Sequence, residues 1–286
     1  MEFERINCKL QQNSQDKLLE KMYKSDIGKQ LLKVLTGKAV SELGGRFMDS
    51  PLSVPVIKPF IEKNNIDMSQ YEEKEYKSYN DFFTRKIKEG ARVFDLTPEF
   101  LCSPCDSKLT VYNIDENSEY EIKGTKYSFE SLTRSKKLAD YYNGGHMIVF
   151  RLCVDDYHRY SYVDNGYLGP VRRINGVYHT VNPVAIEAGN DIYKENTREC
   201  SVLHSENFGK ILQIEVGALM VGRIVNNDEK CHVSRGQQKG RFEFGGSTVI
   251  LAFAKDMVKI KDEIIKNSAE DFETIVKMGD VIGEKF

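Results

Sequence analysis

From about residue 90 onward the chain never holds one apolar pattern for long. Runs such as His146 to Val154, Gly169 to Tyr178, Lys210 to Ile214 and Thr248 to Ala254 are cut off by clusters of Gly, Asn and Asp. That is how many short strands read, because a strand shows itself in a few residues whereas a helix needs ten or more to display its period. With 286 residues, 40% of them hydrophobic, the chain can bury a core in one large domain or two small ones. The body beyond Gly90 is therefore expected to be mostly β.

An internal repeat points the same way. Val233-Ser-Arg-Gly-Gln-Gln-Lys-Gly240 and Val276-Lys-Met-Gly-Asp-Val-Ile-Gly283 share Val-x-x-Gly-x-x-x-Gly. Glycines at that spacing suit tight turns between short strands, as in barrel-sandwich domains of the biotinyl or lipoyl type. Neither copy has the central lysine that would carry biotin or lipoate, so a swinging-arm carrier is disfavoured.

Residues 1 to about 77 have a different texture and are read as a helical cap. Ile27, Leu31, Val34 and Leu35 fall at helical spacing among Lys29, Lys33 and Lys38, and a second apolar group, Val54, Val56, Ile57, Phe60 and Ile61, follows Pro51. Two readings stand side by side: apolar faces packed on the rest of the protein, or an interfacial helix with lysines near anionic headgroups. Ser78 with Asp81 three residues on resembles a capping box, predicting a short helix through Phe82, Phe83 and Ile87 that stops near Gly90. The expected fold class is α+β, a helical cap (1–77) on a mostly antiparallel β body (78–286) with barrel-sandwich-like elements.

Composition narrows the functions. A formal net charge of -2 gives no chain-wide field for gathering nucleic acid, so attraction to an anionic partner must be local. No apolar stretch approaches the ~20 residues that span a bilayer, no secretory leader stands at the start, and the six cysteines are scattered, as in a reducing cytosol. Cys102 and Cys105 form one CxxC with no second pair to complete a zinc site. Asp155, Asp156 and His158 imitate metal ligands, but adjacent strand residues face opposite ways, so no metal is expected there.

The segment that carries chemistry is Gly245-Gly246-Ser247-Thr248, immediately before a strongly apolar strand. Two glycines permit the close approach a serine hydroxyl needs to reach the carbonyl behind it. Attack by Ser247 Oγ on the Gly246 carbonyl turns the amide into an ester. Elimination across Cα and Cβ of residue 247 then releases the upstream chain, leaving dehydroalanine that hydrolyses to a pyruvoyl group. The first step needs a base on the hydroxyl and donors on the oxyanion.

Several stretches stand in a telling order: Phe82-Phe-Thr-Arg-Lys-Ile-Lys-Glu-Gly-Ala-Arg92, Ser103-Pro-Cys-Asp-Ser107, Ile122-Lys-Gly-Thr-Lys-Tyr-Ser128, Asp156-Tyr-His-Arg-Tyr160, Thr180-Val-Asn-Pro183, Val216-Gly-Ala-Leu-Met-Val-Gly222 and Gly-Gly-Ser-Thr. Together they resemble the phosphatidylserine decarboxylase family over roughly residues 80 to 253. The resemblance implies an autocatalytic cut between Gly246 and Ser247, giving chains 1–246 and 247–286 that stay together as a heterodimer. It also implies a covalent pyruvoyl group at position 247 that forms a Schiff base with the substrate amine and accepts electrons as CO2 leaves. The implied reaction converts phosphatidylserine to phosphatidylethanolamine on an anionic membrane surface, at the cytoplasmic face, with no metal, no diffusible cofactor and no nucleic acid.

For the cut, the resemblance implies an Asp, His and Ser arrangement, with Asp106 as the acid and Ser247 as the nucleophile. The histidine departs from the pattern: many relatives carry a second one three residues after the first in Asp-Tyr-His-Arg, and here that position is Ser161. His158 and His179 are the candidates. His179 paired with Asp106 as base, with His158 serving the substrate carboxylate or the protonation step, is one assignment; the reverse is the other. Arg85, Arg92, Lys123 and Arg159 could meet a phosphate or carboxylate. A pyruvoyl decarboxylase of a soluble amino acid and a lipid-binding relative that never matures remain alternatives. A higher homo-oligomer is left open.

Overall fold

The computed structural model describes residues 3–7, 38–115, 117, 119–122, 125–176, 195–217, 223–243 and 247–286. The helical pattern at Ile27 to Leu35, Lys123, His179, Gly245 and Gly246 lie outside them.

The N-terminal region is only partly helical. Arg5–Ile6 is a strand, β1, while α1 (Lys38–Asp49), a 3-10 turn (Pro51–Val56) and α2 (Ile57–Lys63) follow. A two-residue strand has no period to read, so nothing in the sequence marks it. Ser78 caps α3 (Tyr79–Phe83), its Oγ accepting the Asp81 N–H at 3.1 Å. That helix ends at Thr84, short of Ile87. Its aromatic residues Tyr79, Phe82 and Phe83 are buried with Ile57 and packed on Phe60 and Tyr76.

The body is antiparallel. Its first half contains β2 (Phe100–Cys102), β3 (Ser107–Asn113), β4 (Glu119–Ile122), β5 (Thr125–Ser128), α4 (Phe129–Thr133), α5 (Lys136–Tyr142), β6 (His146–Leu152), β7 (Arg159–Ser161), β8 (Gly166–Leu168) and β9 (Arg172–Ile174). Its second half contains β10 (Arg198–Ser205), β11 (Lys210–Gly217), β12 (Arg223–Asn226), β13 (His232–Val233), β14 (Gln238–Glu243) and β15 (Ser247–Phe253). It ends with β16 (Val258–Ile260), α6 (Asp262–Ala269), β17 (Glu273–Val276) and β18 (Val281–Lys285). The large sheet runs β1-β17-β3-β6-β15-β11-β10-β8-β13, with β9 beside β10. Strand β15 lies in its middle, and both faces are covered, which is why Val249–Phe253 reads as an unbroken apolar run rather than an alternating one. One face meets Phe129, Leu132, Ala139 and Tyr142 from α4 and α5; the other meets Leu101, Tyr160, Phe242 and Ile282 from two small sheets.

Those small sheets, β16-β18-β2 and β12-β14-β7, are two copies of one unit. In the first, Val281 pairs with Cys102, Gly283 with Leu101 and Glu284 with Phe100, with a bulge after Val281. In the second, Gln238 pairs with Ser161, Gly240 with Tyr160 and Arg241 with Arg159, with a bulge at the same place. The sequence repeat marks the turns that join each unit to the large sheet. Gly279 (φ 93°) donates its N–H to Ser103 O, and Gly236 (φ 78°) donates to Tyr162 O, each at 2.9 Å. Both backbones are left-handed, which favours glycine twice, and at Gly279 a Cβ would also strike Val93 O.

Candidate active site

Ser247 opens β15 between two neighbours: it pairs with Leu152 on β6 and with Gly217 on β11. Strand alternation puts its side chain on the face of Val249, Leu251 and Phe253, beneath the two small sheets. The residue is fully buried and its Oγ has no hydrogen-bond partner among the described residues. A buried hydroxyl without a partner costs free energy, and nothing among the described residues offsets that cost at Ser247. Thr248 Oγ1, on the opposite face, is orphaned in the same way.

Asp106 lies between β2 and β3 and is buried. Its Oδ1 accepts from Met278 N–H at 2.8 Å and from Arg92 Nε at 2.9 Å; its Oδ2 accepts from Arg92 Nη2 at 2.6 Å, with Lys277 Nζ 3.6 Å away. Burial pushes the carboxyl upward, but the Arg92 bonds and charge, with Lys277 and the Met278 N–H, hold it below the usual carboxylate range. Asp106 is thus an anion at neutral pH. No histidine among the described residues touches it.

His158, at the foot of β7, is buried with its ring 4.1 Å, centroid to centroid, from that of Phe83. Its Nδ1 stands 2.9 Å from Asp156 O, and since a carbonyl can only accept, Nδ1 carries the proton and Nε2 the bare lone pair. That Nε2 is buried and unpartnered among the described residues. Burial first, then the Arg85 and Lys108 charges, push its pKa down to about 3, so the ring is neutral.

Ser161, where a histidine was expected, is buried with its Oγ donating to Met278 Sδ at 3.6 Å. Because the same Met278 donates its N–H to Asp106, position 161 lies one residue from the carboxylate, and Met278 fills the space between.

Of the cations suggested for substrate binding, Arg92 is committed to Asp106 and also donates to Gln70 Oε1. Arg159 is committed to Thr84 O, Arg85 O and Gln238 Oε1. Cys153, Asp155 and Asp156 bring donor atoms within 4.8 Å of one another, but the Lys108 ammonium holds both Asp156 oxygens, at 3.0 and 2.8 Å.

Sequence reasoning missed a buried polar group on the Ser247 face. Lys239 Nζ donates to Glu215 Oε1 at 2.7 Å and to Asn226 Oδ1 at 3.0 Å, and Tyr160 OH donates to that same Oδ1 at 3.1 Å. The repeat held a signal for it: Lys239-Gly240 stands where the other copy has Ile282-Gly283.

The family profile described as phosphatidylserine decarboxylase matches residues 79–284. The phosphatidylserine decarboxylase proenzyme 2 of Clostridium acetobutylicum is 45% identical over 267 residues, covering 93% of this chain and 91% of the relative. The phosphatidylserine decarboxylase proenzymes of Clostridium tetani and Ruminiclostridium cellulolyticum are 44% and 43% identical, each covering 96% of this chain and 93% of the relative. The sequence motifs, the Ser247 strand and these relatives converge: the chain belongs to the phosphatidylserine decarboxylase family.

Proposed function

We propose that this protein is a self-processing phosphatidylserine decarboxylase that cuts itself before Ser247 and works on a membrane surface. The observation that carries the reading is the buried Ser247 hydroxyl, without a partner among the described residues, at the head of a central strand and directly after Gly245-Gly246 in the sequence. In the cut, Ser247 Oγ bonds to the Gly246 carbonyl carbon and the peptide C–N bond breaks, giving an ester. Loss of the Cα proton of residue 247 expels the Gly246 carboxylate, and hydrolysis of the resulting dehydroalanine releases ammonia. The pyruvoyl group so formed supplies a ketone that serves as an electron sink for loss of CO2.

The chain's own residues serve the two steps differently. His179 is the base for the cut, with Asp106 as its acidic partner; neutral His158 offers Nε2 to the substrate. The cut separates 1–246 from 247–286, yet β15 keeps a ladder to β6 and another to β11, so the fragments stay joined as a heterodimer. The two repeat units are read as barrel-sandwich-like elements that roof the Ser247 face.

Membrane attachment falls to the N-terminal region, at the cytoplasmic face. Phe47, Leu52 and Val56 are exposed, Leu52 to 77%, beside exposed Arg46 and Lys58, the pairing of apolar tips and cations that suits an anionic interface. No helix among the described residues is long and apolar enough to cross a membrane.

The test is a denaturing gel with a paired assay. Wild-type protein should run as two fragments, His179→Ala should stay whole, and CO2 should be released from phosphatidylserine vesicles but not from free serine. Efficient cutting by His179→Ala would refute its role as base; activity on free amino acids alone would overturn the lipid substrate.

A further inference from the structure

Resting on the reading above, we infer that Arg85 grips the phosphodiester of the serine phospholipid while His158 Nε2 accepts from its ammonium group. Arg85 is only 2% exposed. Its guanidinium lies over the rings of Tyr71 and Phe82, 4.2 and 4.8 Å from their centroids, and no carboxylate pairs with it among the described residues. Nη2 makes two contacts, to Tyr71 OH at 3.2 Å and Asp155 O at 3.4 Å; Nε and Nη1 have no partner among the described residues. A buried guanidinium with two idle nitrogens is expensive unless an anion completes it.

The neighbours extend the pattern. Tyr76 OH, on a ring packed edge-on against Phe82, is a further buried group without a partner among the described residues, and so is His158 Nε2. Both groups feel the Arg85 charge. Phe82, Phe83 and Arg85 belong to one stretch of chain, Phe83 lies against the His158 ring, and Arg159 Nη2, beside His158, donates to Thr84 O at 2.7 Å. Idle donors therefore stand near one bare acceptor, which is the complement of an anion linked to an ammonium.

Two anions of the headgroup could meet Arg85, and the chemistry chooses between them. The carboxylate loses its charge as it becomes CO2, so a guanidinium bound there would stabilise the reactant more than the transition state and slow the reaction. The phosphodiester keeps its charge throughout and can be held at no such cost. With Arg92 and Arg159 committed elsewhere, Arg85 is the arginine of its stretch left to do so.

The experiment compares Arg85→Gln with wild type after both have been seen to cut themselves. It uses short-chain phosphatidylserine in micelles as substrate and glycerophosphoethanolamine, which keeps the phosphodiester and amine but lacks the carboxylate, as inhibitor. The variant should raise KM and the inhibition constant by the same factor, about 10- to 100-fold, with kcat changed less than about threefold. A raised KM with an unchanged inhibition constant would move Arg85 to the carboxylate and overturn the inference, as would no change in either. Should Arg85→Gln fail to accumulate or cut, Arg85→Lys carries the same comparison of ratios. Wild-type protein that cuts itself but releases no CO2 from the lipid overturns the functional reading and this inference with it.

Discussion

The two copies of the small-sheet unit share their hydrogen bonds almost atom for atom, yet their interiors differ. In one, Met278 N–H donates to Asp106 Oδ1 at 2.8 Å; in the other, Arg235 N–H donates to Asn165 Oδ1 at 3.0 Å. Lys285 N–H bonds Glu99 O in the first, as Phe242 N–H bonds His158 O in the second. The turn thus needs an acceptor but no charge, since the uncharged Asn165 does the same job. The negative charge at 106 answers a different demand, that of Arg92 and of the proposed base. In the same way exposed Glu99 shows that the strand position of His158 does not require a buried imidazole. Leu101, Ile260 and Ile282 fill one interior where Tyr160, Asn226 and Lys239 fill the other, so apolar residues suffice for the unit to fold.

The largest effect should come from making the first copy resemble the second at its charged position. Asp106→Asn keeps an acceptor for Met278 N–H but leaves Arg92 nearly buried without its counter-charge. We expect a loss of about 3–5 kcal/mol in denaturant unfolding and cutting slowed by about 10²–10⁴-fold on a gel time course. Cutting at the wild-type rate would show that the charge serves Arg92 alone.

Lys239→Met sharpens the comparison from the other side. Alone it strands Glu215 in the interior and should cost about 3–5 kcal/mol, whereas Lys239→Met with Glu215→Leu, which copies the apolar interior, should recover most of that or exceed wild type. A double variant as unstable as the single one would contradict the claim that apolar residues suffice.

His158 predicts a pH dependence of stability. Its folded pKa of about 3 lies below the unfolded value near 6.5, so the unfolded state binds the proton first and stability falls as pH drops below about 6.5. The slope should approach about 1.4 kcal/mol per pH unit and end near pH 3. His158→Gln should flatten that slope in unfolding curves taken from pH 7 to 4; an unchanged slope would place its origin elsewhere. The smallest effect belongs to Asn165→Ala, which removes one neutral acceptor, should cost about 1 kcal/mol, and should leave cutting untouched.

These contrasts explain what the sequence disclosed. The Val-x-x-Gly repeat, the Ser78 cap and the buried β15 were legible because each is written in adjacent residues: a left-handed glycine, a hydroxyl three positions before an N–H, a run of apolar side chains. What could not be read depends on distant partners. Nothing near Asp106 announces Arg92, nothing near Lys239 announces Glu215, and Arg5–Ile6 becomes a strand only because Glu273–Thr274 offers an edge. Ser161 was legible as a departure, but its contact with Met278, more than a hundred residues away in the chain, was not.

The central claim is that the Ser247 hydroxyl turns on the bond before it. Mass spectrometry of the short fragment tests it most directly. The account predicts a chain starting at position 247 with a pyruvoyl group in place of a serine and no free amine. A fragment with an intact amino-terminal serine, or an uncut chain that still releases CO2 from phosphatidylserine, would contradict it.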